Sequence, residues 1–154
     1  MASTDTLNTT NGTSPNPAAL LGWRGLALFY DLWPAAALWM AAAAVFLLAN
    51  GNRPLAAFSA SQLLLWLLCW VLTGTYATVS WRRGGQTLGM RPWRLRVVAA
   101  DGGAPTWRAA LLRYLVGSVS LLLGGLGFWW AGIDRDRLTW HDRVSGTRIR
   151  REAR

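Results

Sequence analysis

The sequence predicts an all-α membrane protein: two membrane-crossing helices in a hairpin, followed by a third membrane segment that glycines break. Three apolar stretches, 26–49, 55–80 and 109–133, have the length of about 20 residues that a helix needs to cross the hydrocarbon core. Basic residues flank these stretches, and all 16 of them are Arg. Because this distribution follows the positive-inside rule, we assign the net charge of +9 to contact with the lipid bilayer and not with nucleic acid.

The chain divides into a tail and one membrane domain. Residues 1–18 are rich in Ser, Thr, Asn and Pro and predict a disordered N-terminal tail. The first apolar stretch begins after Arg24 and is longer than the apolar part of a signal peptide, so we expect it to remain as an anchor. The membrane domain then covers residues 19–151, and residues 152–154 form the C-terminal end.

The first two apolar stretches form the predicted hairpin. Asn50-Gly51-Asn52-Arg53-Pro54 between them is typical of a tight turn. The polar stretch after the second helix is basic, with one acidic residue, Asp101, so it predicts a cytoplasmic loop, a cytoplasmic N-terminus and a turn outside. We expect its Arg residues to contact lipid headgroups or a partner; they are Arg82, Arg83, Arg91, Arg94 and Arg96.

The third stretch raises the question of which side of the membrane the C-terminal tail lies on. The tail after it, 134–154, is also rich in Arg and should be cytoplasmic, but one simple crossing would put it outside. Glycines at 124, 125 and 127 permit a re-entrant hairpin, while the alternative is one kinked spanning helix. The alternating pattern of Thr147–Arg151 favours a strand that pairs with Trp93–Ala99, which requires both on one side and makes a small β-hairpin-like unit.

Asp31 is the one charge inside the first stretch, and an ionisable group there costs about 2.5–3.5 kcal/mol on insertion scales. Arg24 lies two helical turns away, about 10 Å along the axis, which is too far for direct contact unless a side chain snorkels. Arg113, near the start of the third stretch, is the predicted partner of Asp31. A structural ion pair, a proton or cation site, and a carboxylate that faces water remain open as interpretations.

His141 and Asp142 are the other candidate charges. A lone His can titrate near neutral pH, but no nucleophile can be placed beside it. The pattern favours a tail motif that caps and hydrogen-bonds the loop. We therefore expect no enzyme, no cofactor and no metal site, and the single Cys69 allows no disulfide within the chain.

Together these residues resemble the RDD family of bacterial membrane proteins. Arg24 and Asp31 match the Arg and the first Asp of the family pattern, and Asp142 matches its second Asp. The segments Gly85–Gly89 and Arg113-Tyr114-Leu115 also resemble the family, whereas Met90 and Trp140 depart from it. The resemblance implies a multi-pass protein of the bacterial inner membrane, and transport, with cation/proton exchange in some members.

The sequence thus predicts a multi-pass inner-membrane protein that transports a small ligand or cation. Three membrane segments are few to enclose a path, so we expect a homo-oligomer or a membrane partner. The alternative is a non-catalytic scaffold or accessory subunit that binds a partner through the Arg-rich loop and tail.

Overall fold

The computed structural model describes residues 17–135 and 138–152, with side chains from residue 21 onward. Most of the predicted disordered tail, 1–18, lies outside the described residues, as do the last two positions of the predicted C-terminal end, 152–154. The elements in the described ranges are α1 (Pro17–Ala49), α2 (Ala60–Gly84), β1 (Leu95–Ala99), α3 (Trp107–Leu122), α4 (Leu126–Ile133), α5 (Trp140–Ser145) and β2 (Thr147–Arg151).

Helices α1 and α2 confirm the two predicted membrane helices. Leu21–Ala49 of α1 and the whole of α2 are long and apolar enough to cross a membrane. Large apolar side chains on α1 are exposed, for example Trp33 at 71% and Met40 at 70%. Contiguous exposed apolar surface of this kind is what a bilayer covers.

The ends of α2 lie further along the chain than the apolar stretch predicts. The helix begins at Ala60 because the Ser59 side chain caps it, accepting a hydrogen bond from the Gln62 N–H at 3.2 Å. It ends at Gly84, where Gly85 takes the left-handed conformation (φ 68°) and donates to the Trp81 carbonyl. The last turn therefore carries Arg82 and Arg83, which face the negative end of the helix dipole.

The third membrane segment is broken by glycine, as predicted. Helix α3 ends where Gly124 and Gly125 have φ of 70° and 79°, and the axis of α4 is bent by 97° from that of α3. The two helices pack closely: the Gly127 N–H donates to Ser120 Oγ at 2.9 Å, and a Cβ on Gly127 would lie 2.5 Å from that oxygen. With about 24 Å of length, α3 is shorter than the roughly 30 Å hydrocarbon core.

Strands β1 and β2 form an antiparallel pair, which confirms the predicted pairing of the loop with the tail. Val97 lies opposite Ile149, and Arg96 lies opposite Arg150. Because β1 follows α2 and pairs with β2, the end of α2 and the C-terminal strand lie at the same end of the helices. The chain therefore leaves this end through α3 and returns to it after α4, which favours the re-entrant alternative over one kinked crossing.

The small apolar core lies at this same end. Ala27 of α1 packs with Met90, Leu95 and Val97 of the loop and β1. Trp23 and Trp93 add to the contact, with ring centroids 4.7 Å apart. This core holds the polar loop against the part of α1 that carries Arg24 and Asp31.

Candidate functional site

Asp142 lies between two arginines from two membrane segments. Its Oδ2 accepts a hydrogen bond from Arg24 Nη1 of α1 at 2.8 Å, and its Oδ1 accepts one from Arg113 Nη1 of α3. Arg113 Nη1 also donates to Thr147 Oγ1 of β2 at 2.8 Å. The side chains of all three charged residues are buried. This triad ties α1, α3 and the short α5 together by charge-assisted hydrogen bonds.

The local sequence explains how Asp142 reaches this position. Thr139 caps α5, its Oγ1 accepting from the Asp142 N–H at 3.4 Å, and Asp142 Oδ2 accepts from the Thr139 N–H at 3.3 Å. This capping box starts the helix and fixes the carboxylate at its third position. Gly146, with φ of 62°, ends the helix and turns the chain into β2.

The charges of this site alter two pKa values. Burial by itself raises the pKa of the Asp142 carboxyl, but the Arg113 and Arg24 guanidiniums outweigh burial, so the pKa lies well below its usual range. Burial, with Arg113 beside it, lowers the pKa of His141 to about 3. His141 is therefore neutral at pH 7, and its ring packs against Phe128 with centroids 4.9 Å apart.

Asp31 is bound by neutral donors instead of by a cation. Its Oδ1 accepts from the Tyr76 hydroxyl at 3.1 Å and from the Gly89 N–H at 2.9 Å, and its Oδ2 accepts from the Thr87 hydroxyl at 2.5 Å. A Cβ on Gly89 would lie 2.2 Å from the Ala27 carbonyl oxygen, so only glycine lets the loop approach α1 this closely.

The predicted contact between Asp31 and Arg113 is wrong. The carboxylate that Arg113 meets is Asp142, because the chain returns after α4 and brings α5 against the start of α3. The prediction that Arg24 and Asp31 make no direct contact agrees with the structure, since Arg24 also bonds to Asp142.

Residues of both groups line one cavity. It has a volume of about 200 Å³ and lies between α1, α2 and α3, with contributions from α4, α5 and the loop. Its polar lining includes Arg24, Asp31, Tyr76, Arg113 and His141. An apolar pocket with a few convergent polar groups is typical of a ligand site.

Comparison with models of known protein families shows which family the chain belongs to. The model described as the RDD family matches residues 18–146. The chain belongs to the RDD family. No curated protein and no solved structure matches the chain significantly.

In this RDD protein, the family pattern divides into two sites. Arg24 and Asp142, which resemble the Arg and the second Asp of the family pattern, are in direct contact, whereas Asp31, which resembles the first Asp, has a separate set of donors. The segment Gly85–Gly89, which resembles the family, supplies the Thr87 and Gly89 donors of Asp31.

Among the described residues, none of the five arginines predicted for headgroup or partner contact bonds to Asp31 or Asp142. Arg82 is half-buried, and Arg83, Arg91, Arg94 and Arg96 are exposed. Arg96 forms an exposed pair with Glu152 at 3.2 Å. They form a basic surface at the end of the helices that carries the sheet.

Four polar residues of the site were not singled out from the sequence as its members: Tyr76, Thr87, Thr139 and Thr147. Thr139 had a detectable signal, since Thr three residues before Asp is a capping-box pattern. Tyr76 and Thr147 had none, because their partners are distant in sequence.

Proposed function

We propose that this protein is a non-enzymatic, multi-pass protein of the bacterial inner membrane that transports a small ligand or cation. The observation that carries the proposal is the cavity of about 200 Å³ between the membrane helices, because it brings Asp31 and both triad arginines to one place. Ionisable groups within membrane segments are rare and mark substrate and ion pathways, so they are candidates for a functional site.

Asp31 fits a proton better than a metal cation. A metal ion at its oxygens would face the Gly89 N–H, which can only donate. The Tyr76 and Thr87 hydroxyls, in contrast, can rotate to accept a hydrogen bond when the carboxyl gains a proton. We therefore propose Asp31 as a group that gains and loses a proton during transport.

The proposal is tested by flux into proteoliposomes. Protein with Asp31→Asn should lose the proton flux that the wild-type protein supports under an imposed pH gradient. Asp134→Asn is the matched control, because Asp134 pairs with Arg143 outside the cavity. If Asp31→Asn supports the same proton flux and the same sodium flux as the wild-type protein, Asp31 is not part of the transport pathway.

We propose that the N-terminus, the loop after α2 and the C-terminal strand are cytoplasmic. The basic surface around the sheet supports this orientation, because Arg is enriched on the cytoplasmic side and attracts anionic lipids. A reporter fused after Arg154 should be active in the cytoplasm, and one inserted at Asn52 should be active outside. A C-terminal reporter found outside would contradict this orientation.

We propose that transport requires self-association. Two spans and a broken segment are few to enclose a path. Exposed apolar side chains such as Trp66 at 53% and Leu122 at 87% leave surface for a second copy within the bilayer. Cross-linking in native membranes should therefore give a homo-oligomer, and a protein that is always monomeric would contradict it.

The scaffold function is the second candidate, and the sheet favours it. Arg96 and Arg150 lie directly opposite each other, and Arg148 lies on the same exposed face. Like charges across two strands destabilise the pair. Glu152 pairs with Arg96 within the chain, so the exposed Arg148 and Arg150 are the charges that favour an acidic partner. A partner captured by the wild-type protein should be lost when these three Arg are changed to Gln, while Arg53→Gln at the opposite turn retains it.

A further inference from the structure

The two guanidiniums around Asp142 have more donors than acceptors. Each guanidinium carries five N–H donors. In the part of the chain that the structure describes, Arg24 donates from Nη1 to Asp142, and Arg113 donates from Nη1 to Asp142 and Thr147. Arg24 Nε is buried with no acceptor. The Nη2 groups of both arginines donate to no acceptor within the described chain and are not enclosed as this Nε is, so they are available to a bound ligand.

The same site has a surplus of positive charge. Arg24 and Arg113 are 4% and 3% exposed in their side chains, and the carboxylate that they share is Asp142. His141 adds no negative charge. The Trp81 ring, 5.4 Å from the Arg113 guanidinium carbon, compensates part of the surplus through a cation–π contact. A buried surplus of one charge is costly unless an anion pairs with it.

Both arginines line the cavity, and most of its other walls are apolar. Leu28 of α1, Ala77 of α2, and Gly117 and Leu121 of α3 belong to these walls. The Asp31 carboxylate lies about 10 Å further along α1 and is bound by its own three donors. The cavity thus has a cationic end and an apolar body.

We propose that this cavity binds an anionic amphiphile, with a carboxylate or phosphate head at Arg24 and Arg113 and a hydrocarbon tail along α1, α2 and α3. Oxyanions suit this end because guanidinium groups bind carboxylate and phosphate by paired, charge-assisted hydrogen bonds. The ligand is either a membrane lipid or a soluble amphiphile. This proposal rests on the proposed function, because it names a ligand for the same cavity. It requires only that the ligand binds, so a failure to observe transport would not contradict it.

The first test measures binding to the full-length protein in an uncharged detergent. Decyl phosphate at about one hundred times its Kd should raise the melting temperature by about 5 °C or more. Decanol, which lacks the anion, and inorganic phosphate, which lacks the tail, should each leave it unchanged. Equal shifts with decanol or with inorganic phosphate, or no shift with decyl phosphate, would overturn the proposal.

The second test uses a variant that fills the cavity and leaves the charges intact. Gly117 lines the cavity, and a Cβ there would meet no atom within 4 Å. Gly117→Leu should therefore fold as well as the wild-type protein and bind decyl phosphate at least tenfold more weakly. Gly132→Leu is the matched control, since its Cβ is equally free and it lies on the exposed side of α4. Unchanged binding by Gly117→Leu would overturn the proposal.

Native mass spectrometry of protein taken from membranes distinguishes the two sources. A retained anionic lipid that Gly117→Leu loses and Gly132→Leu keeps would identify a membrane lipid. Decyl phosphate binding by wild-type protein that retains no such lipid would identify a soluble amphiphile.

Discussion

Asp142, which is buried, and Asp31, which is half-buried, are held in opposite ways. Asp142 lies between two guanidiniums, whereas Asp31 accepts three hydrogen bonds from two hydroxyls and a backbone N–H. The first arrangement depends on the charge of the carboxylate, because its loss leaves two buried cations unpaired. The second depends mainly on oxygen acceptors, so it tolerates neutralisation. The difference indicates that the charge of Asp142 is needed for the structure, whereas the bonds of Asp31 can be made by a neutral acceptor.

The largest expected effect comes from removing the charge of Asp142. Asp142→Asn should lower the free energy of unfolding by about 3–5 kcal/mol, because Arg24 and Arg113 remain buried without a counter-charge. Denaturant unfolding of the purified protein in detergent measures this. Asp134→Asn, which breaks the more exposed pair with Arg143, should change stability by less than about 1 kcal/mol.

The approach of the loop to Asp31 is tested by adding one methyl group. Gly89→Ala should destabilise the protein by about 2 kcal/mol, because the new Cβ would lie 2.2 Å from the Ala27 carbonyl oxygen and must displace the loop. Gly84→Ala, whose Cβ meets no atom within 4 Å, is the control for unfolding measurements. Equal stability of the two variants would mean that the loop does not rest on α1 as described.

The neutral His141 beside Asp142 predicts a pH dependence. Unfolded His141 binds a proton below its usual pKa of 6.5, whereas in the folded protein burial and Arg113 hold its pKa at about 3. Stability is therefore full above pH 6.5 and falls as the pH is lowered towards 3, by about 2 kcal/mol between pH 7.5 and 5. His141→Phe, which keeps a ring against Phe128, should flatten this part of the profile. Parallel profiles for the two proteins would contradict the lowered pKa.

The smallest expected effect is on the stability of Asp31→Asn. The amide retains one acceptor oxygen, and the hydroxyls of Tyr76 and Thr87 can turn to accept from its NH₂ group. The free energy of unfolding should therefore change by no more than about 1 kcal/mol. A loss as large as that of Asp142→Asn in the same denaturant experiment would remove the contrast between the two carboxylates.

Features that depend on neighbouring residues were predictable from the sequence. The apolar lengths predicted α1 and α2, the glycines at 124 and 125 predicted the break after α3, and the alternation in Thr147–Arg151 predicted β2. The extension of α2 to Gly84 was missed, because hydropathy ends at the first charged residue while the helix continues until Gly85 caps it. The pairing of β1 with β2 could be predicted, because both segments alternate between Arg and uncharged residues and both Arg-rich segments are expected on the same side of the membrane.

The sequence by itself determined that this is a membrane protein of the RDD family, where its chain bends, and that Arg24, Asp31, Arg113 and Asp142 need partners. Only the tertiary structure decided which charge meets which. Arg24 and Asp142 are separated by 118 positions, and their contact exists because the chain bends by 97° after α3 and a six-residue helix returns Asp142 to the start of the bundle. The partner of a buried charge depends on where distant segments lie in space, and no local spacing of residues contains that information.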